Sequence, residues 1–288
     1  MNFAGIYTAM VTPFRDGKVD WESLEKLVEE QIAGGVAGLV PVGTTGESPT
    51  LDYEEHARVI SEVIRISAGR CQVIAGTGSN STAEAIELTK HAKEAGADAS
   101  LQVTPYYNKP TPEGLYRHFS AVAEAAELPI VLYNVPGRCG VPIPVDVIAR
   151  LSTHPMIQAV KEAGGSVDRV SQIKDCCDIA VLSGDDSLFL PMMAVGADGV
   201  ISVASNIIPE EMTALYKAWI GGNVKDAMAL HRKYYPLFRD LFIEANPIPV
   251  KEAMVRLGKI LREYRLPLCE MTPDHKEKLY KTMDLCLN

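Results

Sequence analysis

Residues 71–104 read CQVIAGTGSNSTAEAIELTKHAKEAGADASLQVT, and two apolar patterns alternate within them. Cys71–Thr77 and Ala99–Thr104 are short, nearly continuous apolar runs, as expected of parallel strands buried on both faces. Between them Ser81–Ala95 carries a helical pattern. It opens with a serine N-cap and has Glu84 three residues later, a capping box. A strand, a helix and a second strand therefore follow one another with short connections.

The same alternation runs outward in both directions. Strand-like runs occur at Gly5–Thr12, Gly38–Val42, Pro129–Val135, Met156–Ala163, Ile179–Gly184 and Gly199–Ala204, and helical patterns at Asp20–Ala33 and Asp52–Ser67. That makes eight strands spaced by about 28 residues, one strand–helix unit each. Eight such units fit an α/β fold of the (β/α)8 TIM-barrel type. A doubly wound open sheet has the same periodicity and stays open on this ground. After Asn223 the strand signals stop, and Asp226–Ile243, Pro249–Tyr264 and Pro273–Leu287 read as helices. The expectation is a catalytic barrel over residues 1–222 with a three-helix extension over 223–288.

Composition removes several classes of function. The chain has 288 residues, 47% of them hydrophobic, so it can bury a large core. Its net charge of −9, with no run of basic residues, argues against nucleic acid as a partner. The longest apolar stretch, Leu188–Ala197, is half the roughly 20 residues needed to cross a bilayer. The first residues lack the basic segment of an export signal. Six cysteines are scattered without a CxxC pair, which suits reduced thiols in the cytoplasm.

Barrel enzymes place their reactive groups at the C-terminal ends of the strands, so those ends carry the chemistry. Lys161 closes the sixth run. Desolvation there would favour the neutral amine, the form that attacks a ketone to give a Schiff base. A buried ion pair with Glu162 or Asp185 is the structural alternative. Gly43-Thr44-Thr45-Gly46-Glu47-Ser48 follows the second run, and its amides and threonine hydroxyls suit a small anion. No Gly-Lys-Ser/Thr signature makes it a nucleotide loop, and Gly76-Thr77-Gly78 lacks the third glycine of a dinucleotide fingerprint. Tyr133 ends the fifth run as a possible proton relay. Arg138, beyond Pro136-Gly137, has the fork geometry that clamps a carboxylate. Tyr106-Tyr107 reads as a loop or interface patch. Gly184-Asp185-Asp186 carries no metal reading, because adjacent side chains diverge and no histidine is near.

Together and in this order, Gly43–Ser48, Tyr133–Arg138, Val160-Lys161-Glu162-Ala163 and Ser183-Gly184-Asp185-Asp186 resemble the dihydrodipicolinate synthases. These belong to the class I aldolase superfamily that includes N-acetylneuraminate lyase. The resemblance runs from Gly5 to the C-terminal helices. It implies a lyase that condenses pyruvate with aspartate 4-semialdehyde on the route through diaminopimelate to lysine. By that resemblance Lys161 forms the imine, so no metal or organic cofactor is needed. Tyr133, Thr44 and Tyr107 form a proton relay, Tyr107 entering from a neighbouring subunit. Thr44 and Thr45 hold the pyruvate carboxylate and Arg138 that of the semialdehyde, while Gly184 and Ile201 line the pocket. The family is usually a homotetramer, a dimer of dimers.

The resemblance also implies allosteric inhibition by lysine, at Ser48, His56, Asn80, Glu84 and Tyr106. Glu84 suits the effector's ammonium, while Asn80 and Tyr106 suit its carboxylate. Pro49 and Tyr53 depart from the pattern of sensitive members, where a small residue and a histidine are usual. Two other readings remain in view: an N-acetylneuraminate or 2-keto-3-deoxy sugar acid aldolase, and a non-catalytic lysine-binding barrel.

Overall fold

The computed structural model describes residues 1–287. Eight parallel strands, Gly5–Ala9, Gly38–Val40, Gln72–Gly76, Ala99–Val103, Ile130–Asn134, Ile157–Glu162, Ala180–Ser183 and Gly199–Ser202, pair in chain order. The eighth closes on the first through Gly5↔Gly199 to Thr8↔Ser202. All eight runs expected from sequence are strands, trimmed by one to three residues where the chain turns. Closure makes this a TIM barrel and settles the choice against an open sheet.

Twelve helices accompany the strands: α1 (Trp21–Ala33), α2 (Tyr53–Ser67), α3 (Thr82–Ala95), α4 (Pro112–Ala126), α5 (Pro136–Cys139), α6 (Val145–Leu151), α7 (Asp168–Cys176), α8 (Asp186–Ala194), α9 (Pro209–Ile220), α10 (Val224–Asp240), α11 (Ile248–Arg256) and α12 (Pro273–Leu287). The reciprocal capping box belongs to α2, where Asp52 accepts from the Glu55 amide and Glu55 from the Asp52 amide. In α3 only half of the expected box forms. Ser81 caps the Glu84 amide, but the Glu84 carboxylate accepts from Ser79 Oγ at 2.8 Å instead of reaching back to Ser81.

The C-terminal helices differ most from expectation. The helix expected over residues 249–264 ends at Arg256, because Gly258 takes φ +71° just beyond it. A glycine in the left-handed region is a common helix stop. The irregular chain that follows turns back over the barrel. Arg265 there makes a bidentate pair with Glu55, donates to the carbonyls of Thr50 and Gly17, and lies 4.4 Å over the Phe14 ring. Helices α10 to α12 share one apolar cluster with the first strands, Leu237, Phe238, Met254 and Leu279 joining Ile6, Met10, Leu39 and Val40.

Lys251 of α11 is buried and pairs with Glu47 of the loop after the second strand. Its ammonium is 4.4 Å from the Phe14 ring centroid and 5.1 Å from that of Tyr264. Burial pushes the Lys251 ammonium below its usual range, opposed by Glu47. Lys251→Met would strand a buried carboxylate, so urea unfolding should register a loss of about 3–5 kcal/mol. The double variant Glu47→Gln/Lys251→Met should recover most of it. A single variant as stable as the parent would show that Glu47 needs no counter-charge.

Candidate active site

The fifth and sixth strands set the centre of the site. Their register pairs Tyr133 with Lys161 and Asn134 with Glu162. Cross-strand partners share a face, and the Lys161 ammonium accordingly lies 4.3 Å from the Tyr133 ring centroid. Thr104 fixes the Tyr133 backbone, its amide and hydroxyl both donating to the Tyr133 carbonyl, at 3.0 and 2.9 Å.

Lys161 is only 6% exposed, yet it has no hydrogen-bond or ion-pair partner among the described residues. Glu162, expected as one candidate partner, faces the opposite way. It accepts from Asn134 Nδ2, the Gly164 amide and Arg169 Nε, the last at 2.8 Å. Asp185, the other candidate, feels Lys161 through space without touching it. Burial raises the Asp185 carboxyl above its usual range, Lys161 opposes this and Glu162 adds to it.

Over this centre lies a cavity of about 220 Å³ walled by Thr44, Ser48, Tyr106, Tyr133, Arg138 and Cys139, among others. In the Gly43–Ser48 loop the amides of Gly46, Glu47 and Ser48 bond loop carbonyls, while those of Thr44 and Thr45 have no acceptor among the described residues. The Thr44 and Tyr133 hydroxyls likewise make no hydrogen bond among the described residues. The Thr45 hydroxyl accepts from Asn246 Nδ2 at 2.9 Å. Arg138, on short α5, donates from Nη2 to the Asn246 carbonyl at 3.0 Å.

Close backbone approach explains two glycines. A Cβ at Gly76 would sit 2.3 Å from the Val42 carbonyl oxygen, and one at Gly184 would sit 2.5 Å from Ala163 Cβ. The Gly184 amide bonds the Glu162 carbonyl, and Ile201 is wholly buried in the eighth strand, paired with Tyr7 of the first.

Tyr107 is not in the cavity of its own chain. It is 91% exposed with φ +72°, a conformation L residues rarely adopt. Its loop is tied back at Asn80, which donates to the Tyr106 carbonyl while Asn108 donates to the Asn80 carbonyl.

Of the residues tied by sequence to an effector, Ser48 and Tyr106 wall the cavity, and Asn80, Glu84 and Tyr106 adjoin one another. His56 is set apart. It is buried with Nε2 on the Gly76 carbonyl at 2.8 Å, and burial holds its imidazole below the ordinary pKa. Pro49 is the middle residue of a short 3-10 turn, Ser48–Thr50, at the cavity wall, and the Tyr53 hydroxyl donates to Glu84. Sequence reasoning missed Ser79, Asn246, Arg169 and the Glu47–Lys251 pair. Arg169 alone had a local cue, a cation seven residues after a buried glutamate.

Comparison with known proteins agrees with this geometry. The family model described as Dihydrodipicolinate synthetase family matches residues 2–285. A 4-hydroxy-tetrahydrodipicolinate synthase of Geotalea daltonii is 54% identical over 98% of this chain and 98% of its own. The solved structure of the 4-hydroxy-tetrahydrodipicolinate synthase from Methylacidiphilum fumariolicum SolV superposes with a TM-score of 0.98. It is 51% identical, over 99% of this chain and 96% of that one. The chloride-inhibited dihydrodipicolinate synthase of Acinetobacter baumannii, complexed with pyruvate, is 49% identical with a TM-score of 0.96. The match covers 98% of both chains.

Cys139 is the other potential nucleophile on the cavity wall. It is 2% exposed, and burial pushes its thiol up to about 11, so the thiolate is scarce at neutral pH. Iodoacetamide at pH 7.5 should label exposed Cys176 and Cys269 and leave Cys139 untouched, as read by peptide mass analysis. Rapid labelling of Cys139 would contradict its inertness.

Proposed function

Because the chain belongs to the dihydrodipicolinate synthetase family, we propose that it condenses pyruvate with aspartate 4-semialdehyde through an imine on Lys161. One observation carries the reading: a buried lysine ammonium without an acceptor, held against Tyr133 by strand register beneath a cavity that ends in unpaired donors.

In this reading the neutral Lys161 amine attacks the pyruvate ketone, water leaves, and the iminium draws a proton off the methyl carbon. The resulting enamine attacks the aldehyde of the second substrate, whose oxygen takes up a proton. The substrate's own amine then displaces Lys161 and closes the ring. The electron sink is the iminium itself, and the chemistry asks for no cofactor. Tyr133 and Thr44, with hydroxyls free at the cavity, move protons between water and the intermediates. The Thr44 and Thr45 amides and hydroxyls receive the pyruvate carboxylate, Arg138 that of the semialdehyde, and Gly184 and Ile201 shape the pocket with their backbones.

Exposed Tyr107 completes the relay from a second copy of the chain, in a dimer that pairs again into a tetramer. The barrel, residues 1–222, carries the reaction, and residues 223–288 form the extension that braces it. Lysine is the proposed effector at Ser48, His56, Asn80, Glu84 and Tyr106, with Glu84 already engaged by Tyr53 and Ser79. The scattered thiols fit a cytoplasmic enzyme. No helix among the described residues is long and apolar enough to cross a membrane. Arg138 at the mouth suits a second carboxylate better than the polyol of a sugar acid.

Borohydride reduction in the presence of pyruvate, followed by peptide mass analysis, should place a pyruvyl adduct on Lys161. Lys161→Ala should lose the adduct and keep its melting temperature. An adduct elsewhere, or none, would sink the imine. Arg138→Ala should raise the KM for the semialdehyde by about ten- to a hundredfold while pyruvate is still trapped. Loss of both responses together would contradict the separate roles.

A further inference from the structure

We propose that Asn246, on the chain between α10 and α11, is a positioning residue that fixes the donor polarity of the Thr45 hydroxyl toward pyruvate. The inference rests on the pyruvate reading given above. Asn246 is 6% exposed and Thr45 3%, so water does not compete freely at their contact. The Asn246 amide nitrogen donates to Thr45 Oγ1 at 2.9 Å, and the same side chain's Oδ1 is buried with no partner.

A hydroxyl has one proton and two lone pairs. With Asn246 donating into one lone pair, the Thr45 proton cannot also point at Asn246, and it has no acceptor among the described residues. A carboxylate only accepts hydrogen bonds, so the hydroxyl is preset in the one polarity that an anionic substrate can use. Such preorganisation avoids a reorientation cost at binding. The loop itself is held independently of Asn246, by Lys251 on Glu47 and by Thr12 Oγ1, which donates to the Gly46 carbonyl at 2.7 Å.

Asn246 touches the second anion site by a different atom. Its backbone carbonyl, which no side-chain substitution removes, holds Arg138. The two contacts are therefore separable, and the expected signature is selective for one substrate. Asn246→Ala should raise the KM for pyruvate about tenfold, with kcat and the KM for the semialdehyde essentially unchanged. Asn246→Asp keeps the shape but can only accept, which turns the Thr45 proton inward and sets a negative charge beside the carboxylate. Its pyruvate KM should rise further, by about fiftyfold or more.

Thr45→Val should match Asn246→Ala, and the two together should cost no more than either alone. Concentration dependence of borohydride trapping with pyruvate alone gives the same comparison without the second substrate. Wild-type pyruvate KM in Asn246→Asp, an equal rise in both KM values in Asn246→Ala, or additive losses in the double variant would each overturn the proposal. If the parent enzyme traps pyruvate on Lys161 and the variants trap it equally well, the inference fails while the proposed reaction stands. No trapping in the parent would instead remove the reaction. If the Asn246 variants fail to fold, Thr45→Val decides alone: an unchanged pyruvate KM overturns the proposal.

Discussion

A one-residue irregularity in strand pairing sets the chemistry of this barrel. Between the fifth and sixth strands the register runs Ile130↔Ile157 and then Val131↔Ala159, passing over Gln158. Without that skip, Lys161 would stand opposite Asn134, and Tyr133 would stand opposite Val160. Strand side chains alternate faces with a period of two, so a one-residue shift exchanges the faces of everything beyond it. The skip brings the Lys161 amine and the Tyr133 phenol to the same face at the same height. The Tyr133 backbone is then pinned by Thr104, and the closed barrel prevents either strand from sliding.

Alternation also separates two opposite charges that adjoin in sequence. Lys161 lies against the Tyr133 ring, while Glu162 faces the surrounding helices and is answered there by Asn134, Arg169 and the Gly164 amide. A carboxylate next in sequence therefore does not neutralise the lysine. Arg169 is what permits Glu162 to be fully buried, because an unanswered carboxylate would be far costlier there.

The parts of this arrangement legible in the sequence were those with local periodicity or a local break. Eight apolar runs and their spacing revealed the strands, and the polar residues at their ends revealed Lys161, Thr44, Tyr133 and Arg138. The register skip at Gln158 was not legible, since apolar periodicity is the same on both sides of it. Asn246 and Lys251 lie 201 and 204 residues from their partners Thr45 and Glu47, and nothing nearby marks either as special. The end of α11 was legible in principle at Gly258, but the apolar pattern running on to Tyr264 outweighed it. Of those residues only Ile260 is buried, while Leu257 and Leu261 stay exposed. The exposure of Tyr107 and its left-handed backbone were not legible either, since no local pattern in the sequence marks them.

The proposed reaction poses an electrostatic problem, to bind anions in a chain of net charge −9. Local charge decides it, because solvent and salt screen exposed charges over a distance of about 10 Å. The buried Glu47–Lys251 pair contributes almost no net charge to the loop it fixes, so it braces Thr44 and Thr45 without setting a net charge beside them. Asp185, the carboxyl closest in influence to Lys161, has its charged form disfavoured by burial. The cationic side chain on the cavity wall is then Arg138. In the proposed reading, uncharged amides and the Thr45 hydroxyl hold the pyruvate carboxylate without adding a charge that would compete with Arg138 for the carboxylate of the semialdehyde.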